Sequence, residues 1–198
     1  MDLKELLAAS SLNLSETQIS QADKYINQIL KWNRTRNLVS RNLKKNDLAE
    51  HFLDCAVLHK HLLPGSVIDL GSGSGFPGIC LGIIDPNREL TLVDSNRKKT
   101  SFLIHIKNEL GLKQVSVKYA RVEEIKKIDE INIVCRAFKE PADLLKILEK
   151  KISKRNKIIL MVSEMETLSA PSFDIGYKES EASKIIDKKR GFLEIQMS

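Results

Sequence analysis

The stretch that most constrains this chain is Val67-Ile68-Asp69-Leu70-Gly71-Ser72-Gly73-Ser74-Gly75-Phe76-Pro77-Gly78, where an apolar strand pattern runs straight into glycines. Glycine is needed where a backbone must turn tightly and let something approach with no Cβ in the way. Pro77 suits the first turn of a following helix, where its missing N–H is no loss. Strand, glycine turn and helix in that order open a crossover unit of a parallel sheet.

The rest of the chain extends that pattern. Apolar runs at Ser66–Leu70, Glu89–Val93, Gln114–Lys118, Ile131–Arg136 and Lys157–Val162 predict strands, with weaker ones near Gly176 and Phe192. Helical patterns at Gly78–Ile84, Lys98–Leu110 and Pro141–Lys151 lie between them. The middle one puts Phe102, Leu103, Ile106 and Leu110 on one face, with Gly111 as its C-terminal stop. The fold class that follows is α/β: a doubly wound, Rossmann-like sheet, mostly parallel and of about seven strands.

Ahead of the glycine loop the chain reads as helical. Ser15-Glu16-Thr17-Gln18 has the form of a capping box, and Ile19, Ala22, Ile26, Ile29 and Leu30 recur at helical spacing behind it. After the polar run Trp32–Asn37, a further helix is predicted over Leu48–Leu62, stopped by Pro64-Gly65. At 198 residues we expect a single domain, with 1–45 an N-terminal helical extension and 46–198 the core.

Composition narrows the setting. No run approaches the roughly 18 apolar residues of a membrane span, and Met1-Asp2-Leu3-Lys4-Glu5 does not open a secretory signal. The expectation is a cytoplasmic protein with no membrane partner. Cys55, Cys80 and Cys135 are too widely spaced for a zinc site or a disulfide framework and read as small buried side chains, so no metal is expected. Lys and Arg outnumber Asp and Glu 32 to 26, which suits a polyanionic partner without demanding one.

The glycine loop admits two readings. Gly73, Gly75 and Gly78 fit the dinucleotide pattern G-x-G-x-x-G, which is weak alone. Gly71, Gly73 and Gly75 instead make G-x-G-x-G, with Asp69 two residues before the first. A carboxylate there would repel a pyrophosphate but can face the methionine ammonium of S-adenosylmethionine, which favours that cofactor. Asp94 ends the next strand, 23 positions after Gly71, where an acidic side chain takes the ribose hydroxyls of an adenosine; read alone it is equally a helix N-cap. Behind the third strand, Val122 and Glu123 stand where an adenine would lie, or simply open an acidic helical turn. Arg136 closes the fourth strand, bordering both cofactor and substrate or making a surface ion pair.

Together these residues resemble the bacterial glucose-inhibited-division protein B family, the small-subunit (16S) ribosomal RNA guanine-N7 methyltransferases. The resemblance runs from about Tyr25 to Lys146. It rests on Trp32-Asn33 with Asn37-Leu38-Val39-Ser40, on His51-Phe52-Leu53-Asp54, and on the Asp69–Gly78 loop with its Phe76-Pro77-Gly78 ending. Asp94-Ser95 with Arg97-Lys98-Lys99, Arg121-Val122-Glu123 and Arg136-Ala137-Phe138 complete it. It implies a methyltransferase sheet and an S-adenosyl-L-methionine site at Gly71, Phe76, Val122, Glu123 and Arg136, with Asp94 at the ribose. It also implies a substrate of 16S ribosomal RNA, within the small subunit or a precursor. We expect a monomer. Cys135 replaces a usual serine, Ser153-Lys154-Arg155-Asn156 replaces a Pro-Gly-Gly turn, and the C-terminal third matches only in length and strand order.

The chemistry asks little of the protein. Methyl transfer from a sulfonium is an in-line displacement governed by orientation and a preorganised site. Guanine N7 has a lone pair and no proton, so no general base is expected and His51 reads as structural. Cys135 lacks the context of a cytosine-C5 nucleophile. Phe138, more often a core side chain, could flank a methylated, cationic base. Arg34 and Arg36, then Arg41, Lys44 and Lys45, with Arg97, Lys98 and Lys99, could grip RNA phosphates at the mouth of the site, or form a solvated basic face. The rival functions are an enzyme of the same fold acting on a small molecule or protein, a nicotinamide oxidoreductase, and a non-catalytic RNA-binding assembly factor.

Overall fold

A computed structural model describes residues 1–164, 168 and 170–198. Three helices lead in: α1 (Leu3–Ala9), α2 (Glu16–Arg36) and α3 (Lys45–Val57), the last followed by a 3-10 turn over Leu58–His61. The alternating part runs β1 (Val67–Leu70), α4 (Gly78–Ile84), β2 (Leu90–Asp94), α5 (Arg97–Glu109), β3 (Val115–Tyr119), β4 (Asn132–Arg136), α6 (Pro141–Leu148) and β5 (Lys157–Val162). It closes with β6 (Phe173–Glu179), α7 (Glu181–Ile186) and β7 (Gly191–Met197).

The seven strands form one sheet in the order β3-β2-β1-β4-β5-β7-β6. β1 pairs in parallel with both β2 and β4, so the winding reverses between β1 and β4. Ligands of such sheets lie outside the carboxyl ends of the strands at that reversal. β7 runs antiparallel between β5 and β6.

Side chains alternate across the sheet with the period of two that strands impose. Val67, Leu92, Val134 and Ile159 face one cluster, shared with Leu6, Tyr25, Ile26, Phe52 and Phe102 of the helices α1, α2, α3 and α5. Ile68, Val93, Ile133, Cys135 and Ile158 face a second cluster with Leu144, Leu145 and Leu148 of α6. The doubly wound sheet anticipated from the apolar runs is therefore present, and the N-terminal helices share one core with it.

Local signals fixed most element ends. Ser15 Oγ accepts the Gln18 N–H at 3.3 Å and Gln18 Oε1 accepts the Ser15 N–H at 3.0 Å, the reciprocal capping box of α2. Gly111 takes φ +69° just past α5. Several boundaries differ from expectation, among them the end of the helix expected to reach Leu62, which stops at Val57 and gives way to the 3-10 turn. The helix expected at Leu48 starts at Lys45, because Asp47 accepts the Lys44 N–H and closes the first turn earlier. The helix expected to reach Lys151 stops at Leu148, where the Lys151 N–H bonds the Leu148 carbonyl at 2.7 Å in a turn. Pro77 stands at the N-cap of α4, one position before its first turn. The six-residue α7 carried no periodic signal of its own.

Candidate cofactor and substrate clefts

The chain leaves β1 through a bend tied from three sides. Gly71 takes φ +73°, and a Cβ there would overlap the Phe138 ring, so glycine is required twice over. The N–H groups of Gly71 and Ser72 both bond the Val93 carbonyl, at 2.9 and 3.0 Å. The Tyr25 hydroxyl, buried on α2, donates to the Ser74 carbonyl at 2.9 Å. An N-terminal helix thus helps to hold the bend.

Asp94, at the end of β2, fastens the same bend. Its Oδ2 accepts the Gly73 N–H and its Oδ1 the Asn96 N–H, both at 2.8 Å. Asn96, not Asp94, is the N-cap of α5, accepting the Lys98 and Lys99 N–H groups. Asp94, Gly71, Val122, Glu123 and Phe138 line a small cavity of about 80 Å³ beyond β1 and β2. Val122 is buried and opens a 3-10 turn over Val122–Glu124. Glu123 is exposed; its own backbone N–H and the Lys139 ammonium, 3.1 Å away, hold its carboxyl below the usual range.

Asp69 lies beneath the bend rather than facing an open cleft. It is 1% exposed, and its Oδ2 accepts the Gly78 N–H at 2.9 Å. Its Oδ1 is buried with no partner among the described residues. Burial pushes its pKa up to about 7, against the lowering effect of the Gly78 and Ser72 hydrogen bonds. The carboxylate tethers the start of α4, and one oxygen still lacks a donor.

Arg136 ends β4 inside the protein, not in a surface ion pair. Its Nη2 lies 2.6 Å from His51 Nδ1 and 3.8 Å from Asp54 Oδ2, its Nη1 lies 3.6 Å from Cys55 Sγ, and its guanidinium stands over the Phe76 ring at 5.8 Å. Burial, aided by the neighbouring Arg136, lowers the His51 pKa to about 4, so at neutral pH the ring accepts from the guanidinium. Arg190 Nε approaches the same Asp54 oxygen, Oδ2, at 3.5 Å. Asp54, Arg136, Lys139, Leu144 and Arg190 are among the walls of a second cavity of about 340 Å³ beyond β4 and β5. Cys135 also lines it, but burial pushes its thiol up to about 12, which leaves it inert as a nucleophile.

The segment Ala137-Phe138-Lys139 partitions the two cavities. Ala137 takes the left-handed φ +46°, which lets the chain turn back and lay Phe138 against Gly71. The smaller cavity falls below the ~300 Å³ lower end of small-molecule sites, because that ring occupies the space above the bend. The donor set nonetheless fits an adenosine-bearing cation. The lining offers a carboxylate at Asp94, an apolar side chain at Val122 and a bend free of side chains, the chemistry such a group needs, whereas Asp69 lies beneath the bend and outside the lining.

The basic residues divide. Lys24 pairs with Glu109 at 2.7 Å, and Trp32 packs on Phe102 and His105 with ring centroids 5.4 and 5.0 Å apart, so α2 and α5 run antiparallel. That brings Arg34 and Arg36, at the end of α2, beside Arg97, Lys98 and Lys99, at the start of α5. Arg36 stacks over Trp32 at 5.5 Å and Arg97 over Tyr119 at 5.3 Å. Lys45 is paired with Asp23 at 2.7 Å, about three helical turns from Arg34, and stands apart from that cluster. Arg41 donates to Asn37 at 2.9 Å, and Lys44 is exposed at the start of α3.

Sequence reasoning set His51 aside and overlooked Asp54 and Arg190. His51 and Asp54 carried a signal, because residues three apart on a helix share a face. Arg190 carried none, since its place depends on how β7 enters the sheet. Among the described residues no group of three or more His, Cys, Asp or Glu could hold a metal ion, and no helix is long and apolar enough to cross a membrane.

Three comparisons bear on this geometry. A sequence model of the family described as rRNA small subunit methyltransferase G (GidB) matches residues 18–187. The chain is 35% identical over 143 residues to the ribosomal RNA small subunit methyltransferase G of Halorhodospira halophila, covering 72% of this chain and 68% of that one. It is 28% identical to the protein of the same name from Francisella philomiragia subsp. philomiragia, over 95% of this chain and 97% of that one. Among solved structures, a Glu-to-Gln mutant of MtNAS in complex with S-adenosylmethionine superposes with a TM-score of 0.62 at 14% identity, covering 92% of this chain and 72% of that one, a likeness of fold alone.

Proposed function

Since this chain belongs to the rRNA small subunit methyltransferase G family, we propose that it transfers the methyl group of S-adenosyl-L-methionine to guanine N7 of 16S ribosomal RNA in the small subunit or a precursor. The observation that carries the reading is the pair of adjoining cavities at the β1/β4 reversal, one bordered by the glycine bend and Asp94, the other by Arg136. A methyl donor and an acceptor base need such neighbouring seats. We take the enzyme to act as a monomer in the cytoplasm, without a metal.

When bound, S-adenosylmethionine supplies an electrophilic methyl group on a sulfonium. The chain's own residues bind and orient. Asp94 accepts the ribose hydroxyls, Val122 flanks the adenine, and Glu123 meets the base edge. Gly71, Gly73 and Gly75 let the backbone approach, with Asp69 and Phe76 supporting the bend from below. Arg136, kept in place by neutral His51, lines the larger seat next to the 137–139 partition. The nucleophile needs no deprotonation, and His51, already accepting from Arg136, is not free to act as a base. Arg34, Arg36, Arg97, Lys98 and Lys99 grip backbone phosphates and steer the RNA to the mouth; the target base must leave its stack to enter.

The test is methyl transfer from tritiated S-adenosylmethionine to small subunits lacking the modification and to their free RNA, followed by nucleoside analysis. Label in 7-methylguanosine is the expected result. Label in another nucleoside sinks the N7 assignment. Label in neither substrate, from protein that still binds S-adenosylmethionine, leaves a small-molecule or protein methyltransferase or a non-catalytic assembly factor. Tight binding of NAD in place of S-adenosylmethionine sinks the cofactor assignment.

A further inference from the structure

We propose that the 340 Å³ cavity beyond β4 and β5 seats the acceptor base, and that Asp54 and Arg136 there read the edge of guanine that pairs in a duplex. The inference deepens the methyltransferase reading above and rests on it.

Asp54 is an uncommon carboxylate. It is 3% exposed, yet its nearest cations stand at 3.5 Å (Arg190) and 3.8 Å (Arg136), beyond ordinary hydrogen-bond length. The Ser180 hydroxyl adds a further contact. Among the described residues, charge is balanced while acceptor capacity is left over. Burying a carboxylate in that condition is costly, and the cost is recovered when donors arrive. The walls around it suit a flat ring: Leu144 and Leu160 are apolar, and the opening lies beside the cofactor cleft, across the 137–139 partition.

Guanine presents along its pairing edge an acceptor (O6) followed by two donors (N1–H and N2–H). A guanidinium beside a carboxylate presents a donor followed by two acceptors. Arg136 next to Asp54 has that order, so the O6 oxygen meets Arg136 while N1–H and N2–H meet the two Asp54 oxygens, a bidentate, charge-assisted contact. Adenine offers an acceptor at N1, which would face the carboxylate and be rejected. Hypoxanthine keeps O6 and N1–H but lacks the amine. A base held by this edge turns N7 away from Asp54 and leaves its lone pair open to the methyl group. His51 has a part as a positioning residue, because it fixes the guanidinium that meets O6.

The test has two arms. In the first, wild-type enzyme methylates small-subunit RNA in the presence of GMP, IMP or AMP as competitors. The expected order of inhibition is GMP, then IMP weaker by about tenfold, then AMP weaker still, each lost contact at a built polar site being worth that much or more. Equal inhibition by all three, or none by any, overturns the proposal, since a cavity gripping only phosphate would not tell the bases apart. In the second, Asp54→Asn should keep its affinity for S-adenosylmethionine within about twofold. Its kcat/KM on RNA should fall by about tenfold to a hundredfold, and its preference for GMP over IMP should vanish. Wild-type kcat/KM in that variant overturns the proposal. If the variant loses S-adenosylmethionine binding through misfolding, the competition arm decides alone. Should the wild type transfer no methyl group to RNA, that result counts against the methyltransferase reading, and equilibrium dialysis of the three nucleotides tests the seat separately: preference for GMP upholds it, and equal binding overturns it.

Discussion

Asp94 takes a backbone N–H on each of its carboxylate oxygens, and a carboxylate has about four lone-pair sites in all. It can therefore fasten the glycine bend and still accept from a ligand. Asp94→Ala should weaken S-adenosylmethionine binding by about 1–3 kcal/mol, the range for lost charge-assisted hydrogen bonds, read by titration calorimetry; an unchanged affinity would remove it from the site. Asp69 makes a prediction of the opposite electrostatic kind. Burial raises its folded pKa to about 7 against an unfolded value of 3.8, so the folded state holds a proton that the unfolded chain has released. Its contribution to stability is complete below about pH 4 and is lost as pH rises through about 7. Denaturant unfolding of Asp69→Asn should lack that decline between about pH 4 and 7, and a profile parallel to wild type would refute it. The position of both acids was legible in the sequence, because a strand followed by glycines and a second strand about 20 residues on fix where the carboxylates fall. Their hydrogen bonds were not. The Gly78 N–H returns to Asp69 only once α4 has folded back over β1, and Arg136 finds His51 only once α3 and β4 are packed together.

The basic rim belongs to the scale of elements, since it exists only where two helix ends meet. The antiparallel pairing of α2 with α5 sets Arg34 and Arg36 against the first turn of α5. Replacing Arg97, Lys98 and Lys99 together by alanine should lower the slope of log affinity for RNA against log salt by up to about two, at ~0.7 per phosphate contact for single strands. Filter binding across a salt series measures it, and an unaltered slope would move the footprint elsewhere. β1 and β5 were readable to within a residue, because strands buried on both faces have no polar face to blur the signal, Asp69 being the one acid in β1. β6 was faint because Asp174, Gly176 and Lys178 fill one face of an edge strand. Charge pattern along a chain does not say which acid a lysine will meet, and Lys45 meets Asp23 on α2, away from Arg34 and Arg36.

At the scale of the whole molecule, α1, α2 and α3 bury Leu6, Tyr25, Ile26 and Phe52 in the same cluster as Val67, Leu92 and Phe102. We expect the N-terminal extension and the sheet to unfold as one unit, with far-UV and near-UV circular dichroism giving coincident thermal transitions; a separate early transition in the helical signal would divide them. The doubly wound arrangement followed from the alternation of runs, whereas the reversed β7 could not be read, because nothing in a strand's own residues states its direction. That reversal has a further bearing. A strand laid against the grain begins where its parallel neighbours finish, and so delivers Arg190 to the mouth of the larger cavity. β7 is also what joins β6 to the rest of the sheet, so during synthesis β6 emerges before it has anywhere to dock. One strand therefore rivets that edge in place and, through the residue just ahead of it, hands the larger cavity its second guanidinium.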